Sequence, residues 1–114
     1  MSGASAPVLR PEVAAPIFAA LGDETRLALV ARLGAGEPLS IASLTEGSKI
    51  SRQAVTKHLA VLAEAGLVQG SRQGRESLWE LQPGPLEVAR RFLEAASRSW
   101  DERLERLRTL VEEE

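Results

Sequence analysis

The chain has no cysteine among its 114 residues. That excludes a disulfide framework, a thiolate metal site and a thiol redox switch. No run of about 18 apolar residues is available to span a membrane. The stretch from Met1 to Pro7 lacks the basic start and apolar core of a signal peptide, and a cytoplasmic location is expected. There is no repeat of about 20–50 residues. Phosphate loops of the GxxxxGKS or GxGxxG type are missing, and so is any recognisable nucleophile motif. The single histidine, His58, has no acidic partner near it in sequence. An enzyme is not expected, and neither is a cofactor.

What remains is one modest domain, with an apolar fraction of 44% that is ordinary for a globular chain. The formal net charge of −2 is unpromising for a partner of nucleic acid until it is mapped. Between Ser48 and Arg75 stand Lys49, Arg52, Lys57, Arg72 and Arg75 against Glu64 alone, a local balance of +4 that leaves −6 for the rest. Local charge sets attraction to phosphates. The charge is segregated.

The stretch from Ser51 to Gly66 organises the rest. Val55, Leu59 and Leu62 form an apolar stripe at helical spacing that needs a core. Gln53, Thr56, Lys57 and Ala60 recur on another side, flanked by Arg52, and nothing there is acidic or bulky. Ser51 suits the N-cap, because its hydroxyl can accept from an orphan N–H of the first turn. Gly66 suits the left-handed position that ends a helix. A short capped helix with an acid-free polar face fits a DNA major groove. An amphipathic helix is more often just solvated, so its neighbours decide.

Before it, Ser40 to Glu46 is expected as a short helix capped by Ser40, with Ile41 and Leu44 inward. The turn from Gly47 to Ile50 then completes a helix-turn-helix. Upstream, residues 1–11 are expected to be a disordered lead. A helix follows from Glu12 to Leu21, with Val13, Ile17, Ala20 and Leu21 at helical spacing, and Pro16 either starts or kinks it. Asp23 should cap a helix from Glu24 to Leu33, whose buried side is expected to be Leu27, Val30 and Ala31. Downstream the period shortens towards two, and residues 67–71 and 76–81 are expected as strands joined by a turn at Arg72 to Arg75. That hairpin would be a wing, with Arg72 and Arg75 at its tip facing phosphates or the minor groove.

The last helix is expected to open with Pro85 at its first position. Leu86, Ala89, Leu93, Ala96, Trp100, Leu104, Leu107 and Val111 follow at three- and four-residue steps, close to a heptad seam. Such a rod is too long for one small core. Trp100 above all is expected to meet a second subunit, with Ile17 and Phe18 of the first helix contributing. The scarce aromatics Phe18, Phe92 and Trp100 are read as core before they are read as a ligand pocket. Residues 12–84 would then be the DNA-binding domain and 85–114 a dimerisation helix. The fold class is mainly α with a small β-hairpin wing.

These motifs resemble the ArsR/SmtB group of small winged-helix repressors. Leu21-Gly22-Asp23-Glu24-Thr25-Arg26, Ser51 through Leu59, Ala65-Gly66-Leu67-Val68, and Gly74-Arg75 ahead of Leu78-Trp79-Glu80-Leu81 carry the resemblance. It implies a homodimer on double-stranded DNA, binding an inverted repeat as a repressor, and leaves room for a small-molecule effector of unknown identity. The family's metal-sensing members place cysteines on the first helix of the motif, or His and Asp ligands on the terminal helix; this chain has neither thiol nor terminal histidine. It is similar to the branch without metal sites, and no bound metal is expected. Arg52, Gln53 and Thr56 are expected at base edges and Ser40, Ser51, Lys57 and Arg75 at the backbone, with Arg72 and His58 beside them. The expected dimer interface is Ile17, Phe18, Leu86, Leu93, Trp100, Leu104 and Leu107. A MarR-like regulator and a winged-helix protein–protein adaptor are the alternatives.

Overall fold

The computed structural model describes residues 10–113. Five helices and three strands follow in the order α1 (Pro11–Leu21), α2 (Glu24–Leu33), β1 (Leu39–Ser40), α3 (Ile41–Glu46), α4 (Arg52–Glu64), β2 (Val68–Gln73), β3 (Glu76–Leu81) and α5 (Pro83–Glu112). Most of the expected lead lies outside the described residues, but Pro11 already opens α1, where a missing N–H costs nothing. Pro16 does not start that helix; the helix runs through it.

The core is built from one stripe of each helix. Ala14, Ile17 and Ala20 of α1, Leu29 and Leu33 of α2, Ile41 and Leu44 of α3, and Val55, Leu59 and Leu62 of α4 are buried, with Leu67, Val68 and Ala89 closing it. The α2 stripe is turned one residue from the expected one. Leu27 is exposed and Ala31 faces solvent, because Arg26 takes the inward position that begins the Arg26, Leu29, Val30, Leu33 series. Val13 likewise points outward while Ala14 is buried.

Helix ends are determined locally. Asp23 caps α2 by accepting from the Arg26 N–H at 3.1 Å, which lowers its carboxyl pKa. Ser40 caps α3 through Ser43 N–H, and Ser51 caps α4 through Ala54 N–H. Helix α4 closes in a Schellman motif, with Gly66 N–H bonded to Ala63 O and Leu67 N–H to Leu62 O, and Gly66 at φ +77°.

The sheet order is β1-β3-β2, antiparallel throughout. Strand β1 is an addition to the expected hairpin, pairing Leu39 with Trp79 and Ser40 with Leu78. The hairpin turn is also tighter than expected. Gln73 pairs with Glu76, so only Gly74 and Arg75 form the loop, and Arg72 lies within β2 opposite Ser77. Gly74 has φ +62° and Arg75 a negative φ, the pattern of a type II′ hairpin turn. Helix α5 starts at Pro83, two residues ahead of the expected Pro85. Its first turns lie on the core through Leu86, Val88 and Ala89, and Phe92 meets Phe18 edge-on at 6.0 Å between centroids.

Candidate nucleic-acid interface

Helices α3 and α4 and the turn between them define one face of the molecule. Arg32 of α2 holds that unit from behind, its Nη1 and Nη2 donating to the carbonyls of Leu44 and Ser43 at 3.0 Å each. Those carbonyls belong to the last turn of α3, where helical carbonyls run short of partners, Ser43 O having only the Gly47 N–H at 3.3 Å besides. The guanidinium lies so close over the turn that a Cβ at Gly47 would stand 2.2 Å from Arg32 Nη1. Ser48 ties the turn further, its hydroxyl donating to Thr45 O and accepting from Ile50 N–H.

With Val55, Leu59 and Leu62 turned inward, Arg52, Gln53, Thr56, Lys57 and Ala60 are all exposed on α4. This is one acid-free surface carrying two cations, and the structure brings all five together. Thr56 Oγ1 donates to the Arg52 carbonyl at 2.9 Å, a back-bond that leaves its methyl and lone pairs outward. Ser40 and Ser51 hold capping bonds in which their oxygens accept, so each hydroxyl proton is free for an acceptor such as a phosphate oxygen. Arg72 and Arg75 are exposed on the wing.

His58 does not share this surface. It lies two residues, about 200° round the helix, from Thr56. Its Nδ1 is 3.2 Å from Arg26 Nη1 and 3.9 Å from Asp23 Oδ2. No acidic residue is near His58 in sequence, but the fold brings Asp23, distant in sequence, beside it in space. Arg32 escaped the reading of the sequence, and Arg26 entered it only as part of the motif at the head of α2, without a role; the signal for that role was its place on the buried stripe of α2.

The expected interface residues divide. Ile17 lies in the protomer's own core, 6% exposed, and Phe18 and Leu86 pack against that core. Leu93, Trp100, Leu104 and Leu107 are 46–56% exposed and are joined by Leu110 and Val111. Among the described residues there is no cluster of three or more His, Cys, Asp or Glu side chains suited to a metal ion. No described helix is long and apolar enough to cross a membrane.

A capped recognition helix behind a short brace helix, followed by a two-stranded wing, defines a winged helix-turn-helix DNA-binding protein. A family model described as a helix-turn-helix domain matches residues 21–70. The HTH-type transcriptional regulator Rv2034 of Mycobacterium tuberculosis is 37% identical over 95 residues, covering 83% of this chain and 85% of that protein. The arsenical resistance operon repressor of Escherichia coli is 30% identical over 89 residues, covering 78% and 76%. An ArsR-like transcriptional regulator of Rhodococcus superposes with a TM-score of 0.71 at 36% identity, over 87% of this chain and 92% of that one. The chain belongs to the ArsR family of winged helix-turn-helix transcriptional regulators. It is a DNA-binding regulator and not an enzyme.

Proposed function

We propose that the protein is a homodimeric repressor that binds an inverted-repeat operator through α4. The observation that carries this is the exposed, acid-free surface of Arg52, Gln53, Thr56, Lys57 and Ala60 on a helix held from behind by α2 and α3. Two such helices related by a twofold axis enter successive major grooves about 34–36 Å apart. Arg52 addresses guanine and Gln53 adenine, with Thr56 between them. Ser40, Ser51, Lys57 and Arg75 hold phosphates, and Arg72 supports them from the strand behind the wing tip. Helix α5 supplies the dimer contact with Leu93, Trp100, Leu104 and Leu107, since a contiguous apolar stripe of this size is covered by a partner in a stable protein.

Occupying a promoter excludes polymerase, which makes repression the default sign. A small-molecule effector cannot act here by oxidising or metallating a thiol, because the chain has none. The adaptor reading is disfavoured by the same surface. A protein–protein contact gains nothing from excluding carboxylates there.

The test is selection of genomic fragments by the purified protein at two salt concentrations. Recovery of an inverted repeat, with affinity falling steeply as salt rises, is expected. Folded, dimeric protein that recovers nothing above background would turn the reading to the adaptor.

A further inference from the structure

The apolar stripe of Val55, Leu59 and Leu62 holds α4 against the core, but apolar contact is non-directional and specifies neither the rotation nor the axial position of a helix closely. Directional contacts do that. Among the described residues, His58 is the one side chain of α4 that hydrogen-bonds another element, and its partner is Arg26. The same guanidinium donates from Nε to Ala20 O at 2.6 Å and from Nη2 to Ala19 O at 3.5 Å. Those carbonyls end α1, the helix whose Phe18 rests on Phe92 of α5. One planar fork thus joins α1, α2 and α4.

The chemistry of the bridge is specific. Arginine has donors only, so Nδ1 of His58 must accept, which places the imidazole proton on Nε2. The bond is charge-assisted and accordingly stronger than a neutral one. Asp23, which caps α2, has its Oδ2 3.9 Å from the same Nδ1, and, after the Arg26 N–H bond, the Arg26 charge helps to lower its carboxyl pKa.

From this we propose that Arg26 and His58 are positioning residues of the DNA interface. Through their bond, the recognition helix keeps a fixed rotation relative to α1 and α5, and the protein discriminates its operator from other DNA without either side chain touching a base. The inference rests on the DNA-binding reading above. Base-edge contacts need side chains placed to within about 0.5 Å, whereas phosphate attraction tolerates displacement. Loss of the bridge therefore lowers operator affinity and leaves binding to unrelated duplex nearly unchanged.

The test compares His58→Asn with His58→Gln. The Asn carbonyl oxygen falls where Nδ1 lies and can accept from Arg26; the Gln oxygen reaches towards Nε2 and cannot. Each variant, with Arg26→Lys, is first shown folded and dimeric by thermal unfolding and sedimentation. Binding to the selected operator and to an unrelated duplex is then titrated at two salt concentrations. H58N should keep the wild-type affinity ratio. H58Q and R26K should lower that ratio about tenfold or more, the worth of one charge-assisted bond, with an unchanged salt slope. Equal behaviour of H58N and H58Q, whether both bind as wild type or both lose discrimination, overturns the proposal. So does an equal loss on both duplexes with a shallower salt slope, which makes His58 a phosphate contact. Wild-type protein without operator preference removes the underlying reading, and the inference with it.

Discussion

Two helices of this protein carry apolar stripes of the same period and have opposite fates. On α4, Val55, Leu59 and Leu62 are fully buried; on the distal half of α5, Leu104, Leu107 and Leu110 are 46%, 54% and 62% exposed. The residue types do not explain the difference. Helix α4 is short, capped at both ends and surrounded by three other helices and the base of a wing. Helix α5 has 30 residues, about 45 Å at 1.5 Å per residue, and leaves its own domain after a few turns. Its wet sides are laced by Arg90 with Glu87 and Glu94, and by Arg108 with Glu105 and Glu112. Arg90 and Arg91 hold the Glu87 carboxyl down to about 2. Exposed pairs of that kind support a helix by only about 0.2–0.5 kcal/mol each, too little to account for its apolar stripe. A periodic pattern shows that a face wants burial. What buries it depends on how far the helix travels from its own core.

The comparison is broken most severely by Trp100→Glu. It should weaken the dimer at least about a hundredfold, judged by the usual cost of losing a buried Trp, and lower operator affinity with it. Sedimentation at micromolar concentration reads this directly, and a variant still wholly dimeric there would place Trp100 outside the interface.

Leu59→Ala and Leu107→Ala sharpen the contrast. The first should cost about 2–5 kcal/mol at every protein concentration. The second should lower the melting temperature by an amount that shrinks as the protein is diluted, because dimerisation contributes to stability by mass action and both proteins become monomeric at low concentration. Equal concentration dependence in both would make α5 part of a single-chain core. Lys57→Ala, by contrast, should leave stability alone and reduce the logarithmic salt slope by about one unit per subunit; an unchanged slope removes Lys57 from the backbone contacts. Smallest is Ser51→Ala, at about 1 kcal/mol from the lost cap of α4, read by chemical denaturation.

Much of α4 was legible because its signals are local. Ser51, the three buried positions and Gly66 each act within one turn of the residue concerned. Helix α2 was legible in extent and misjudged in phase. The buried stripe was drawn through Leu27, Val30 and Ala31 without Arg26, whereas Arg26 folds inward to bond carbonyls six and seven residues earlier. Two-residue β1 has no period to detect and exists only because β3 passes beside it. The tightness of the hairpin was missed for a similar reason, since strand pairing carried β2 on to Gln73. His58 was placed near the groove on residue type, although its angular position already set it apart from Thr56. Its partners come from a helix more than thirty residues upstream, which no reading of local spacing supplies.

Strand β1 also makes the wing a cantilever. It clamps β3 at Leu78 and Trp79, directly beside the Ser40 cap of α3. Beyond that clamp β3 has only β2 as a neighbour, and a lone two-stranded ribbon is marginal by itself. The free span from Leu78 to Arg75 is about 10 Å at 3.3 Å per residue. Ser40 therefore stands on a stiff mount, while the Arg75 guanidinium sits at the end of a compliant arm. In the proposed complex with DNA, the first sets the register on the duplex, and the second follows whatever groove shape that register presents.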